Sequence, residues 1–205
     1  MPDRINISDS FLTAKLPAFL LHYQLAGTPV KQYVTLNSKI RQENNRKIKE
    51  ICSKSASERL WKGVFSRMAR SSRRSSFADD RSYYYKGKKI DEEYHLGVDL
   101  ASVRHAQVEA ANRGRVVFTG YLGLYGNAVI VDHGQGVFTL YGHLSQIKVK
   151  PGDLVEHDGL LGLSGATGMA GGDHLHFSIL VNGIFVDPVE WWDAHWLQVN
   201  IEDIL

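Results

Sequence analysis

Residues 173–186 have the sequence DHLHFSILVNGIFV, and this stretch indicates how the second half of the chain folds. Leu175–Val181 is a short run of apolar, β-branched and aromatic residues, which is typical of a buried strand. Asn182-Gly183 is a preferred pair for a two-residue hairpin turn, and Ile184–Val186 follows as the return strand. We therefore expect an antiparallel hairpin at this position.

Similar short apolar runs precede this hairpin from residue 87 onward. Turn signals such as HGQG at 133–136 separate them, and they lie at 115–120 (RVVFTG), 128–132 (AVIVD), 137–141 (VFTLY) and 160–164 (LLGLS). No helix-length periodic segment interrupts them before Pro188. The sequence therefore predicts a mainly β fold, a compact antiparallel β-sheet or sandwich.

The residues before about position 80 have a different composition and predict helices. Apolar residues recur among lysines, arginines, glutamates and asparagines at 29–53, which is a partial helical stripe. Ser55 followed by Glu58 resembles a capping box that opens a second helix through Leu60, Trp61 and Val64. Residues 70–80 have the composition of a connector. We expect an N-terminal helical extension and linker at 1–75, and the β domain at 76–205.

Composition excludes several classes of protein. The 205 residues carry a formal net charge of only +2, which is too small to indicate a nucleic-acid partner. The single Cys52 excludes an intrachain disulfide or a site of several thiolates.

The apolar run at 16–21 is far shorter than the roughly 20 residues that span a bilayer, and no secretory-type sequence starts at Met1. We expect a soluble chain without a transmembrane segment. If it acts outside the cytoplasm, we expect a mature form or fragment of a longer parent protein that could hold a membrane anchor.

Three segments carry the residue types of a metal site. His95 and Asp99 form H-x-x-x-D, and residues four apart on an extended segment point to the same side. His174 and His176 form H-x-H in a predicted strand, where a period of two puts both imidazoles on one face and Leu175 on the other. His143 ends the run VFTLYGH, in which we expect every second residue from 137 to 143 to share a face.

Catalytic zinc needs three protein ligands of the His, Asp or Glu kind and an open position for water. Zinc lowers the pKa of such a water towards about 7, and further polar groups must handle the proton and the charge of the tetrahedral intermediate. Four histidines and one aspartate supply both sets. Each motif alone is weak, but their combination indicates a hydrolytic metal centre.

The order and spacing of these segments resemble the lysostaphin/LytM-type zinc metallopeptidases. The resemblance covers about 77–188 and is carried by HLGVDLAS (95–102), YGNAVIVDHGQG (125–136), TLYGHLS (139–145), LGLSGATG (161–168) and DHLHFSI (173–179). It implies one Zn²⁺ per chain, held by His95, Asp99 and His176. It further implies that His143 and His174 act as general base and oxyanion stabiliser, with the two roles unassigned.

The resemblance also implies a substrate and a location. We expect an endopeptidase that hydrolyses peptide bonds in bacterial cell-wall peptidoglycan, and hence a place in the cell envelope, periplasmic or extracellular. Glycine crossbridges, D-Ala–diaminopimelate crosslinks and stem-peptide bonds all stay open as targets. The sequence does not set the oligomeric state.

Two departures from the family pattern concern the surroundings of the site. The residue before H-x-H is commonly proline in the family but is Asp173 here, which could bring a carboxylate near a site imidazole. The first 70 or so residues have no counterpart in the minimal family domain, so their role, structural, inhibitory or tethering, is open. We favour a structural role, with Trp61 and Phe65 as an anchoring pair.

Several further features have alternative interpretations. The cluster at 83–85 (YYY) predicts a strand with aromatic packing, or a phenol that lines the groove and donates to the oxyanion. We expect GATGMAGG at 165–172 to be a flexible groove wall.

A silent module that regulates a cell-wall amidase is one alternative function, but all five expected site positions are present. An Fe(II) oxygenase or isomerase is the other, since two histidines and a carboxylate also hold Fe(II); the GHLS segment argues against it.

Overall fold

The computed structural model describes residues 3–204. The helices are α1 Asp9–Leu20, α2 Pro29–Thr35, α3 Arg41–Ile51, α4 Pro188–Trp191 and α5 Ala194–Leu197. The strands are β1 Asp3–Ile7, β2 Ser72–Ser75, β3 Asp80–Tyr85, β4 Lys88–Tyr94, β5 Val98–Ala101, β6 Gln107–Glu109, β7 Gly114–Tyr121, β8 Asn127–Asp132, β9 Val137–Gly142, β10 Gln146–Ile147, β11 Leu154–Val155, β12 Leu160–Leu163, β13 Leu175–Val181 and β14 Ile184–Val186. No helix in residues 3–204 has the length and apolar character that crossing a membrane requires.

The main sheet confirms the predicted mainly β, antiparallel architecture. Its strand order is β11-β7-β8-β9-β13-β5-β2, and β14 pairs with β13 through the predicted 182–183 turn. All of these pairings are antiparallel. A smaller sheet, β10-β12-β6, is antiparallel as well. The central strands β9 and β13 are almost completely buried, which explains their continuous apolar sequences.

The N-terminal region is helical, as predicted, but also contains a strand. A π-helical turn at Leu36–Ile40 joins α2 to α3, so the helical run covers 29–51. The Thr28 hydroxyl caps its start by accepting from the backbone N–H of Lys31 at 3.4 Å. β1 pairs in parallel with β3, which in turn pairs with β4. The extension therefore adds a strand to the 80–94 hairpin.

The second predicted helix, from Ser55 through Val64, is wrong. Residues 52–71 contain no helix, and the Ser55 hydroxyl donates to Asp132 Oδ1 at 2.6 Å instead of capping a helix. Gly63 has a φ of +61°, a conformation that an α-helix does not contain. Trp61 and Phe65 nevertheless contact each other, with ring centroids 5.4 Å apart, and both pack on Trp191. Burial against the sheet outweighs the local capping signal.

The predicted connector at 70–80 is also wrong, because it contains β2, the edge strand of the main sheet. β2 pairs with β5, and β3 begins at Asp80. The boundary that we place between residues 75 and 76 stays a prediction.

The two faces of the main sheet are covered by different parts of the chain. One face packs on Trp61 and Phe65 in a core cluster that includes Leu175 and Phe177 of β13. The other face packs on Ile48 of α3, in a cluster that includes Leu180 of β13. The helical part of the N-terminal extension, at residues 9–51, therefore lies on the face opposite to Leu175, whereas Trp61 and Phe65 cover the Leu175 face.

Candidate metal centre

The candidate centre forms where three neighbouring strands meet. Asp99 of β5 lies directly opposite His176 of β13, and Gly142 at the end of β9 lies opposite His176 on its other side. Leu175 packs in the core cluster on the other face, as the period of two predicts. His174 and His176 therefore face the same side as the extension.

His95 is held in one orientation by a backbone carbonyl. It lies in the loop between β4 and β5, its exposed fraction is 4%, and its Nδ1–H donates to Ser76 O at 2.8 Å. Since Nδ1 carries the hydrogen, Nε2 offers a lone pair towards Asp99 and His176. An imidazole whose outer N–H is held by a backbone carbonyl in this way is typical of a metal ligand.

His176 is oriented in the same manner, but with the opposite nitrogen inward. Its Nε2–H donates to Ser178 Oγ at 3.0 Å, and the Ser178 hydroxyl donates to Leu96 O at 2.7 Å. Nδ1 therefore offers the lone pair. Burial lowers the pKa of His176 to about 4, so the imidazole is neutral at neutral pH, as a metal ligand must be.

His95 Nε2, His176 Nδ1 and Asp99 Oδ1 form a triangle with edges of 3.1 Å. All three atoms direct lone pairs into one space, and such an arrangement is repulsive unless a cation lies between them. Donors bound tetrahedrally to zinc at about 2.0–2.1 Å lie about 3.3 Å apart. The donor set and its dimensions therefore fit a zinc ion.

Asp99 is held from both sides. Its Oδ1 faces the two imidazoles, while Oδ2 accepts from Arg81 Nη2 at 2.9 Å. Burial opposes ionisation of this carboxyl, but the imidazoles of His174, His176 and His95 outweigh it and hold the pKa of Asp99 well below its usual range. Asp99 is therefore ionised at neutral pH.

His143 and His174 lie beside the triangle with their rings 4.8 Å apart. Nδ1 of His143 donates to Thr167 O and Nδ1 of His174 donates to Gly172 O, both at 2.9 Å, so each ring turns Nε2 towards the centre. Burial and the neighbouring His174 and His176 hold the pKa of His143 well below its usual value. Burial lowers the pKa of His174 but the Asp99 carboxylate raises it more, for a net increase.

The predicted common face for residues 137, 139, 141 and 143 is wrong at its last member. Tyr141 packs on Phe177 in the core cluster, whereas His143 lies past the end of β9 and has a φ of +64°. This left-handed residue turns its side chain to the other face. Its N–H donates to Tyr125 O at 2.7 Å, which holds the turn in place.

The carboxylate of Asp173 does not contact an imidazole of the metal centre. It accepts from the Ser164 hydroxyl at 2.5 Å and from the His105 N–H at 3.1 Å. It thus ties the start of β13 to the loop before β6. The suggested contact with a metal-centre histidine is wrong, because the carboxylate is directed at backbone and hydroxyl donors outside the centre.

The centre opens into a cleft of about 540 Å³. Tyr83 and the 169–171 part of the glycine-rich loop line it, as expected of a groove wall. Further lining residues were not predicted, and they include Arg81, Tyr125 and, from the extension, β1, Tyr33 and Arg41. No spacing motif distinguishes them, because they reach the cleft from elements far apart in the sequence.

Comparisons with known proteins show what the region around the centre is similar to. The model of peptidase family M23 matches residues 93–188. The DD-carboxypeptidase/endopeptidase Mpg of Neisseria meningitidis is 41% identical over 95 residues, which are 46% of this chain and 22% of Mpg. This chain thus spans about a fifth of the length of that relative.

Solved structures show the same likeness. A zinc-containing peptidase from Vibrio cholerae is 32% identical with a TM-score of 0.54, over 64% of this chain and 40% of that one. The catalytic domain of lysostaphin from Staphylococcus simulans is 27% identical with a TM-score of 0.52, over 62% of this chain and 96% of that one. The matched family is a peptidase family, and one of these neighbours contains zinc.

Proposed function

Because residues 93–188 of this chain match the model of peptidase family M23, we propose that it is a zinc-dependent endopeptidase of bacterial cell-wall peptidoglycan. The observation that carries the proposal is the triangle of three lone pairs 3.1 Å apart, with two further imidazoles turned towards it. The names of relatives such as Mpg support a peptide bond as the target.

In this proposal, His95, Asp99 and His176 hold one zinc ion. A bound zinc ion acts as a Lewis acid and lowers the pKa of water. His95 Nε2 and His176 Nδ1 are kept unprotonated by the hydrogen bonds on their other nitrogens. Arg81 holds the second oxygen of Asp99, so this carboxylate contributes one oxygen.

His143 and His174 carry out the proton transfer and the stabilisation of charge. Their Nε2 atoms face the centre, where one accepts a proton from the attacking water and the other donates to the oxygen that becomes negative. The carbonyls of Thr167 and Gly172 prevent either ring from flipping. The cleft beside them is large enough for several residues of a peptide.

The substrate places the activity in the cell envelope. Peptidoglycan lies outside the cytoplasmic membrane, so we propose that the domain acts there, as the names of its peptidoglycan-acting relatives suggest. Stem peptides and crosslinks both qualify as substrates.

Digestion of purified sacculi tests this proposal. The zinc-loaded chain should release soluble fragments with new amino and carboxyl termini, identified by mass spectrometry, and His176→Ala should release none and bind less than one zinc per chain. His157→Ala is the matched control, because His157 contacts Ser66 at the surface, away from the cleft. Intact sacculi after treatment with a folded, zinc-loaded chain would refute the function.

A further inference from the structure

The N-terminal extension contributes polar groups to the cleft that the hydrolytic centre does not use. Tyr33 of α2 and Arg41 of α3 line the same cleft as His95 and His174, together with Tyr83 of β3. The Tyr33 and Tyr83 rings lie 6.0 Å apart in an edge-to-face arrangement. Two parts of the chain thus build one wall.

Both phenols line the cleft and are almost completely buried. Tyr33 is 1% and Tyr83 5% exposed, and neither hydroxyl has a hydrogen-bond partner within residues 3–204. Within residues 3–204, the fully enclosed side-chain polar atoms that have no hydrogen-bond partner belong to Trp61, Tyr121 and Trp192. The hydroxyls of Tyr33 and Tyr83 are not among them, so both must be accessible from the cleft. A buried hydroxyl is normally paired, and these two can donate to a group bound in the cleft.

Arg41 brings a positive charge to the same wall in a fixed orientation. Nε donates to Asn37 O at 2.8 Å and Nη2 to Asn37 Oδ1 at 2.6 Å. Asn37 is 0% exposed and its amide donates to Asp91 at 2.9 Å, so the anchor is rigid. The other three N–H groups of Arg41 have no partner in the part of the chain that the structure describes.

Nearby carboxylates do not satisfy this set of donors. Asp99 is engaged by Arg81 and Asp91 by Asn37, at 2.9 Å each. Glu93 lies 4.0 Å from Arg41 Nε, beyond hydrogen-bond distance. Asp3 lies at the cleft on β1 and is exposed to solvent. Burial, followed by the neighbouring Tyr83, raises the pKa of Tyr33, so its phenol remains a donor.

Two hydroxyl donors and the three remaining N–H groups of the Arg41 guanidinium match an anion with several oxygens. A carboxylate is planar and pairs with guanidinium through two parallel hydrogen bonds. We propose that Arg41, Tyr33 and Tyr83 form a carboxylate-binding subsite that orients the peptide substrate. The inference rests on the proposed function and deepens it: the preferred substrate has a free carboxylate close to the scissile bond, on either a chain-terminal residue or a side chain.

Kinetics with paired peptides test the subsite. Synthetic crosslinked stem peptides are compared with variants in which either the chain-terminal or the side-chain carboxylate is replaced by carboxamide. Amidation of the recognised carboxylate should lower kcat/KM about tenfold for the zinc-loaded full chain, mainly through KM. The amidated peptide that is cleaved more slowly shows whether the recognised carboxylate is the chain-terminal one or the side-chain one.

Substitutions then assign the effect to the subsite. Arg41→Gln should abolish the preference for acid over amide, while Tyr33→Phe and Tyr83→Phe should each reduce it about threefold. Arg46→Gln, on the exposed face of the same helix, and Tyr84→Phe, the next residue along β3, should leave it unchanged. Melting temperatures identify any variant that fails to fold. If Arg41→Gln is one of them, Arg41→Lys, which keeps the charge, is used in its place.

Two results would overturn the subsite. They are equal kcat/KM values for acid and amide peptides in both arms, or a folded Arg41→Gln that keeps the preference. If no peptide is cleaved at all, the proposed function fails instead. Calorimetric titration of the same acid and amide peptides then decides the subsite: tighter binding of an acid supports it, and equal binding overturns it.

Discussion

Asp99 uses its two carboxylate oxygens for different purposes. Oδ1 faces His95 and His176, and Oδ2 accepts from Arg81, a residue of β3 that no motif indicated. A guanidinium on the outer oxygen fixes the rotation of the carboxylate and favours binding of the metal through one oxygen. Arg81 therefore positions a proposed ligand without touching the ion.

Removal of this guanidinium should weaken metal binding. We expect Arg81→Gln to lower zinc affinity about 10- to 100-fold, because Asp99 then rotates freely. Chelator competition measures the affinity. Arg73→Gln is the control, since Arg73 is exposed on β2, the neighbouring edge strand. Unchanged affinity in a folded Arg81→Gln would mean that packing alone orients Asp99.

The two remaining imidazoles should affect activity more than metal content. His143→Ala and His174→Ala should each keep one zinc per chain and lose about 10²- to 10⁴-fold in kcat, the usual cost of removing a general base or an oxyanion donor. Elemental analysis and the sacculus assay are run on the same preparations. Loss of zinc from either folded variant would show that its histidine is a ligand.

His133 has a structural rather than catalytic environment. It is fully buried, its Nδ1–H donates to Arg113 O at 2.8 Å, and Nε2 lies 2.7 Å from Thr139 Oγ1. Burial lowers its pKa to about 4. Between pH 6.5 and 4 the unfolded chain therefore binds a proton that the folded chain excludes, so the free energy of unfolding falls as the pH falls.

This difference in proton binding predicts a measurable pH dependence. From pH 7.5 to 5, His133 should remove about 2 kcal/mol from the free energy of unfolding. His133→Gln, which does not titrate, should show a pH dependence that is smaller by that amount in urea denaturation at the two pH values. Equal pH dependence in both proteins would indicate that His133 is protonated when folded.

At the level of elements, α3 supports the metal centre through a short turn. Asn44 Oδ1 accepts from Leu124 N at 3.0 Å and Asn45 Oδ1 from the Tyr125 hydroxyl at 2.9 Å. Tyr125 in turn accepts from the N–H of His143 and its ring lies 5.2 Å from that of His176. The extension therefore contacts the centre through one intermediate element.

Gly123 is the residue that allows this contact. Its φ is +50°, and a Cβ atom would overlap with the amide of Asn44, which is buried and cannot move aside easily. Gly123→Ala should lower the free energy of unfolding by about 3 kcal/mol, with contributions from strain and overlap, and reduce activity by shifting Tyr125.

A glycine without neighbours separates these two contributions. Gly87 has a φ of +82° and no atoms where its Cβ would lie, so Gly87→Ala should cost only about 1 kcal/mol. Chemical denaturation compares the two variants. Equal losses would mean that Asn44 moves aside and that the α3 contact is adaptable.

At the scale of the whole molecule, the extension and the β domain share their apolar surfaces. Tyr33 and Leu36 pack in one cluster with Tyr83 and Leu124, and Ile48 packs with Leu180 of the main sheet. Lys15 also donates to Ala166 O in the glycine-rich loop at 2.7 Å. These contacts favour a structural role for the extension.

Truncation tests that role. Deletion of residues 1–51 should lower the melting temperature and the activity on sacculi, because it exposes the apolar face under α3 and removes Arg41 from the cleft. A cut at residue 70 is unsuitable, since it also removes Trp61 and Phe65 from the core. A tenfold or greater rise in activity with an unchanged melting temperature would instead show autoinhibition.

The family resemblance supplied the five residues of the centre. The period of two of a strand explains only the pair His174 and His176, since His95 lies in a loop and His143 turns away from its predicted face. In DHLHFSI, that period puts His174 and His176 on one face, and the register of β5 against β13 then places Asp99 opposite His176. The apolar runs and the 182–183 turn likewise predicted most strands of the main sheet. Local pattern was sufficient wherever the decisive neighbours lie within a few residues.

Tertiary structure alone decided the surroundings of the centre. Ser55 leaves its predicted capping role because Asp132 binds its hydroxyl, and residues 72–75 form an edge strand because they pair with β5. Arg41 and Tyr33 reach the cleft only because Tyr33 packs on Tyr83 of β3 and Asn37, in the turn before α3, donates to Asp91 of β4. Such contacts join residues far apart in the chain, and their free energies exceed the weak local preferences on which pattern reading depends.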